Sequence, residues 1–212
     1  QIPNGVQRIA DEAFSSCRSL EWVELPENMT AIGTYAFADC KALRAIEIPE
    51  GIQTIEDGMF RGCEALAVGV LPETLTEIGN RAFAGCEKLE SAVIPGGVAE
   101  IKSRTFYGCK ALKSVTFPEG LTVIGESAFA GCKSLAKLVL PSTLVELGED
   151  AFYGNTGIKT IHCYGEVPHM GNFTFKNVKA TVYYDPGKAS WGSSQFYGSG
   201  SFSFRCMSND NS

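Results

Sequence analysis

Proline stands at Pro3, Pro26, Pro49, Pro72, Pro95, Pro118 and Pro141, always 23 residues apart. Phenylalanine keeps the same interval at Phe14, Phe37, Phe60, Phe83, Phe106, Phe129 and Phe152, and falls in phase once more at Phe175. Leu20, Leu43, Leu66, Leu89, Leu112 and Leu135 form a third column, which Ile158 continues. Ile9, Ile32, Ile55, Ile78, Ile101, Ile124 and Leu147 form a fourth. A fixed period of this size marks a repeat architecture, in which one short unit is stacked many times.

The unit reads L-x-x-[IV]-x-[LI]-P-x-x-[LV]-x-x-I-G-x-x-A-F-x-G-C-x-x. Its opening alternates apolar and polar residues, the period of a short strand with one buried face. Proline ends that strand, because it cannot donate to a ladder. Turn chemistry follows at Asn4-Gly5, Glu50-Gly51, Gly96-Gly97 and Glu119-Gly120. The segment I-G-x-x-A-F-x-G-C is too short for a long helix and reads as a single helical or 3₁₀ turn with Ala-Phe facing inward. One coil cannot enclose its own apolar residues, so neighbours must supply the burial. With parallel strands ~4.8 Å apart, seven or eight coils give a rod on the order of 35–40 Å long. Two small residues, Gly69 and Ala92, occupy inward strand positions and predict a thin spot in the interior.

The eight cysteines are an even number, which invites a disulfide framework. Six of them obey the period instead: Cys17, Cys40, Cys63, Cys86, Cys109 and Cys132. One niche reused in every coil predicts a row of buried free thiols, acting as small hydrophobes. Side chains stacked in one direction have poor geometry for a bridge, and a linear row is not a tetrahedral metal cluster. Cys163 and Cys206 stand outside the row, and a bridge between them would staple the tail to the array.

Residues 1–163 read as the repeat array, and residues 164–212 as a degenerate last coil plus a cap of the same domain. The tail is rich in glycine, serine and aromatic residues: Phe173, Phe175, Tyr183, Tyr184, Trp191, Phe196, Tyr197, Phe202 and Phe204. Two strands are legible in it, Ala180 to Tyr184 and Ser201 to Cys206, and Ser208 to Ser212 read as frayed. The aromatics are expected to cover the interior of the last coil; alternatively Trp191, Tyr183, Tyr184 and Tyr197 could stack on sugar rings. Gln1-Ile2-Pro3 matches the end of a strand, so sequence is expected to precede it.

Net charge is −6, with no basic block, which argues against a nucleic-acid partner. No run of about 18 apolar residues is present to span a membrane. Nucleophile elbow, zinc-protease and phosphate-loop motifs are missing. The two histidines, His162 on an outer strand position and His169 in a loop after Pro168, read as surface residues. The reading is of a non-catalytic chain needing no cofactor and no metal. Binding would fall on the concave strand face, where two outward rows run along the array. Trp22, Val68 and Lys137 belong to one row; Glu24, Glu47, Val70, Val93, Thr116, Val139 and His162 form the other. Clustered valines with Trp22 as a rigid anchor can mark an interaction surface, and they can equally reflect the strand preference of β-branched residues.

The unit resembles the BspA-like bacterial leucine-rich repeats over residues 1 to about 163. The Ala-Phe pairs at Ala36-Phe37, Ala82-Phe83, Ala128-Phe129 and Ala151-Phe152 carry that resemblance. The segment Val182-Tyr183-Tyr184-Asp185-Pro186-Gly187 followed by Trp191 is similar to the closing part of such arrays. What this implies is a right-handed leucine-rich-repeat solenoid, α/β by convention, with short parallel strands on one face and helical or 3₁₀ turns on the other. It also implies a bacterial cell-surface or exported protein that adheres to a host or bacterial surface protein. A glycan ligand, or a spacer role presenting other domains, are the alternatives.

Overall fold

The computed structural model describes residues 1–192 and 200–207, with the backbone only at 68–70, 189 and 192. The chain winds into a parallel-strand solenoid of about eight turns with coils of about 23 residues. Each full coil contributes two short strands, which line up as two ladders along the array, each divided into three hydrogen-bonded sheets among the described residues.

The first ladder is built from β1 (Arg8–Ile9), β2 (Ala31–Ile32), β4 (Thr54–Ile55), β6 (Glu77–Ile78), β8 (Glu100–Ile101), β10 (Val123–Ile124), β12 (Glu146–Leu147) and β14 (His169–Met170). The second is built from β3 (Ala45–Glu47), β5 (Val68–Val70), β7 (Ser91–Val93), β9 (Ser114–Thr116), β11 (Lys137–Leu140), β13 (Thr160–Cys163), β15 (Lys179–Tyr184) and β16 (Ser201–Cys206). All pairings are parallel, and Trp22 joins the second ladder by a single bridge to Ala45. The second ladder is the strand expected from the alternating motif. The first was not anticipated: its strands are only two residues long, below the length at which alternation can be seen.

The expected helical turn is absent from the repeat. Residues between the two ladders form successive β-turns, and the helical element among the described residues is one 3₁₀ turn, Ala189–Gly192. The backbone explains this. Two positions per coil are left-handed: Glu12, Tyr35, Gly58, Arg81, Arg104, Ser127, Asp150 and Phe173 at φ 52–59°, and four residues on Ser16, Asp39, Gly62, Gly85, Gly108, Gly131, Gly154 and Asn177 at φ 57–78°. A right-handed helix cannot run through such residues. Their amides point to the next coil instead. Glu12, Phe14 and Ser16 donate N–H bonds to the carbonyls of Thr34, Ala36 and Ala38 at 2.7–2.9 Å, while Ala13, Ser15 and Cys17 close local turns. Alternate amides thus bind within and between coils, and the turn segment becomes a third inter-coil seam.

The interior is a single column of stacked layers. Eight phenylalanines from Phe14 to Phe175 stack ring on ring, with centroids 5.1–5.9 Å apart and interplanar angles of 2–24°. Offset stacking of this kind adds to the burial of each ring. Phe37 to Phe175 are fully buried, whereas Phe14 is half-buried in the first coil. Ala92 packs in the interior; Gly69 lies where only the backbone is described, pairing with Ile46.

The tail does not fold over the array as a separate cap. Phe175 extends the ring stack, β14 extends the first ladder, and β15 and β16 extend the second in the same parallel sense. What changes is coil length: Cys163 pairs with Tyr184 and Tyr184 with Cys206, steps of 21 and 22 residues. The shortened coils break the sequence period while preserving the stack. Residues 193–199 and 208–212, including Phe196, Tyr197 and the end expected to fray, lie outside the described residues.

Candidate protein-interaction face

Outward side chains of the second ladder fall into two straight rows, because strand alternation and the coil period together fix their direction. Trp22 lies beside Ala45, Ser91 beside Ser114, Lys137 beside Thr160, and Thr160 beside Thr181. In the other row Glu47 lies beside residue 70, Val93 beside Thr116, and Val139 beside His162. The bridge at Trp22 sets Glu24 next to Glu47. Glu24, Glu47, Thr116 and Lys137 are exposed, and His162 is half-buried. The side chains of Val68 and Val70 are outside what is described.

Trp22, held by a single bridge in the first coil, is 64% exposed, and Val93, on β7, is 59% exposed. Trp22, Glu24, Ala45 and Glu47 line an open groove of about 380 Å³. Neither glutamate is in an ion pair among the described residues. At the opposite end Lys159, Lys179, Thr181, Ser201 and Ser203 line a second depression of about 490 Å³. The face is therefore acidic and aromatic at one end, apolar in the middle and basic at the other.

Two residues extend the second row beyond His162: Tyr183, in register with His162, and Arg205, in register with Tyr183. Both strands were legible in the sequence, but the shortened coils hid the register. His162 and Tyr183 stack with centroids 4.9 Å apart. Burial, and then the nearby Lys137 charge, hold the His162 imidazole below its ordinary pKa. His169, expected in a loop, begins β14 instead.

Elsewhere, charged side chains mostly bridge adjacent coils. Lys41–Glu64 at 2.6 Å, Lys110–Glu87 at 2.6 Å, Lys113–Glu90 at 2.8 Å and Lys102–Glu77 are examples. Such exposed pairs contribute about 0–1 kcal/mol each.

The cysteine row is chemically quiet. Cys40, Cys63, Cys86, Cys109 and Cys132 are buried and free, while Cys17 is exposed in the first coil. Each buried Sγ lies 3.0–3.2 Å from a phenylalanine carbonyl of the preceding coil, from Phe14 through Phe106. Burial pushes the Cys40 thiol up to about 11 and those of Cys63 and Cys132 to about 12. Cys163 and Cys206 are free and sit two strands apart, roughly 9–10 Å at the parallel-strand spacing, too far for a disulfide.

Trp191 is buried, and its indole N–H donates to the Gly165 carbonyl at 2.9 Å. It packs the last coil and offers no platform for a sugar ring. Among the described residues no group of three or more His, Cys, Asp or Glu side chains converges as metal ligands. No helix there is long and apolar enough to cross a membrane.

The solved structures with this fold include a leucine-rich-repeat protein from Bacteroides ovatus, 25% identical, with a TM-score of 0.59 over 95% of this chain. The leucine-rich-repeat protein of T. pallidum is 29% identical, with a TM-score of 0.56 over 81% of this chain and 70% of its own. The pneumococcal vaccine antigen PcpA shares the fold at 21% identity, with a TM-score of 0.53 over 96% of this chain and 61% of its own. The chain spans 64% of the Bacteroides protein. No curated protein is significantly similar in sequence. The model of the BspA type leucine-rich-repeat region, in six copies, matches residues 1–111 and 76–203. With its period, its stacked interior and that match over nearly the whole length, this chain belongs to the BspA-type leucine-rich-repeat family, whose fold is a general protein-interaction scaffold.

Proposed function

We propose that this chain is a non-catalytic protein-interaction module whose partner docks on the strand face of the second ladder. The observation that carries the reading is the groove at Trp22. An indole 64% exposed stands beside two carboxylates, Glu24 and Glu47. That combination suits a basic side chain of a partner, held by a cation–π contact and by charge-assisted hydrogen bonds. The neighbouring position, Ala45, is small, so a partner can approach the indole closely. Exposed aromatic anchors in such surroundings are where interface energy concentrates.

A surface or exported bacterial setting fits the family resemblance and the thiol chemistry. Buried thiols with raised pKa are shielded from oxidation and thiol exchange, so the row tolerates an oxidising compartment. Protease shaving of intact producing cells should release peptides of this chain; protection of the chain on intact cells would argue against surface display.

The binding test is capture of proteins from surface extracts by the purified chain and by Trp22→Ala, Glu24→Arg, Glu47→Arg and Val93→Lys. Captured protein should fall about tenfold or more for Trp22→Ala, the range of an interface anchor. Capture that is equal for the wild type and all four variants would remove the strand face from the reading.

A further inference from the structure

The second outward row is self-complementary, and its order is what matters. It runs Glu24, Glu47, residue 70, Val93, Thr116, Val139, His162, Tyr183 and Arg205. Thr116 lies midway between Glu24 and Arg205, four positions from each. Consider a two-fold axis lying in the interface, parallel to the strands, at Thr116. It turns the face over and reverses the order of coils, so the position of Glu24 meets that of Arg205. Glu24 then faces Arg205 of a second copy, Glu47 faces the Tyr183 hydroxyl, and Val93 faces Val139.

We infer that the strand face binds a second copy of this chain, antiparallel, through these matched positions. The inference rests on the reading of this face as an interaction surface, and it names the occupant. Charge complementarity selects the arrangement. A two-fold along the array axis would set Glu24 on Glu24 and Arg205 on Arg205, whereas the axis at Thr116 forms the opposite-charge contact twice. Val93 and Val139, 59% and 36% exposed, form the apolar centre. The first row does not obstruct this contact. Trp22 meets Ser203, Ala45 meets Thr181, and Ser91 meets Lys137. Near the axis Lys113 approaches its own copy, but each is already paired with Glu90 at 2.8 Å.

Nine strand positions at ~4.8 Å, by roughly three residues of strand width, give an interface on the order of 500 Å² per copy. That is at the lower end for specific complexes, so the association is weak and concentration-dependent.

The test is sedimentation equilibrium of the purified chain over a wide concentration range, at low and high salt. A monomer–dimer equilibrium weakened by salt is expected. Glu24→Arg and Arg205→Glu should each weaken it by roughly tenfold or more, because each change places like charges at two symmetric contacts. The double variant Glu24→Arg/Arg205→Glu should restore wild-type association. An equimolar mixture of the two single variants should form a heterodimer tighter than either alone. Rescue by the double variant and by mixing separates a lost contact from a misfolded chain. A monomer at every concentration, or a dimer indifferent to all three variants, overturns the inference. If the chain is monomeric yet Glu24→Arg still abolishes capture of a surface protein, the face binds a different partner and only the second copy is wrong.

Discussion

The Sγ of Cys86 lies 3.2 Å from the carbonyl oxygen of Phe60, one coil back, and that oxygen also accepts the backbone N–H of Cys63. The same arrangement recurs at each buried cysteine of the row. The thiol is a donor of fixed length that ties one coil to the next while filling an apolar niche. This explains why cysteine, and not alanine or serine, holds the position: it combines apolar volume with a weak S–H donor.

The first prediction concerns thiol reactivity. Only Cys17 and Cys206 are exposed, and burial raises the others away from the thiolate form. The native chain should react with a thiol reagent at two sites, and the denatured chain at eight. Rapid native labelling of Cys63 or Cys132, read by mass spectrometry, would contradict the buried row.

Asn155 occupies the cysteine position of its coil, fully buried, and neither its Oδ1 nor its Nδ2 has a hydrogen-bond partner among the described residues. A buried amide left unsatisfied costs about 1–3 kcal/mol. Asn155→Cys should therefore stabilise the chain by about 1–2 kcal/mol, since it removes the orphaned amide and restores the repeat's own donor. Denaturant titration would show this as a higher midpoint with an unchanged slope.

The ring stack transmits packing along the array. Phe106 is buried between Phe83 and Phe129, at centroid distances of 5.3 and 5.1 Å. Phe106→Ala should cost about 3–5 kcal/mol. Phe14→Ala should cost less, because Phe14 is half-buried and, among the described residues, stacks on Phe37 alone. Chemical denaturation of the two variants side by side checks the order, and equal losses would mean the stack is not the shared interior.

His162 gives the fold a pH dependence with a defined sign. Its folded pKa lies below the ordinary value of 6.5, through burial and the Lys137 charge. The folded state thus binds fewer protons than the unfolded one, and stability rises with pH. The contribution is complete above pH 6.5 and is lost as pH falls through the lower folded pKa. His162→Gln should flatten the stability profile in that acidic window. An unchanged profile on thermal melting from neutral to mildly acidic pH would place the titration elsewhere.

The repeat was legible because each inward column, the Phe rings above all, appears once per coil at one spacing, and a stacked interior demands nothing more. The strands Ala45–Glu47, Ser91–Val93 and Ser114–Thr116 follow from alternation within the unit, and with them the outward positions of Trp22, Glu24, Glu47 and Val93. The turn segment was not legible. Arg81 and Arg104 carry left-handed backbone that nothing in their side chains signals, and the alternation of local and inter-coil amide bonds exists only once the next coil is in place. The tail was undecided for a related reason. Its coils shorten by one or two residues, which erases a sequence period but not a ladder, because backbone pairing responds to strand register rather than to the length of the intervening loop. Only the assembled stack could therefore place Tyr183 and Arg205 on the row that carries Glu24 and bury Trp191 beneath the last coil.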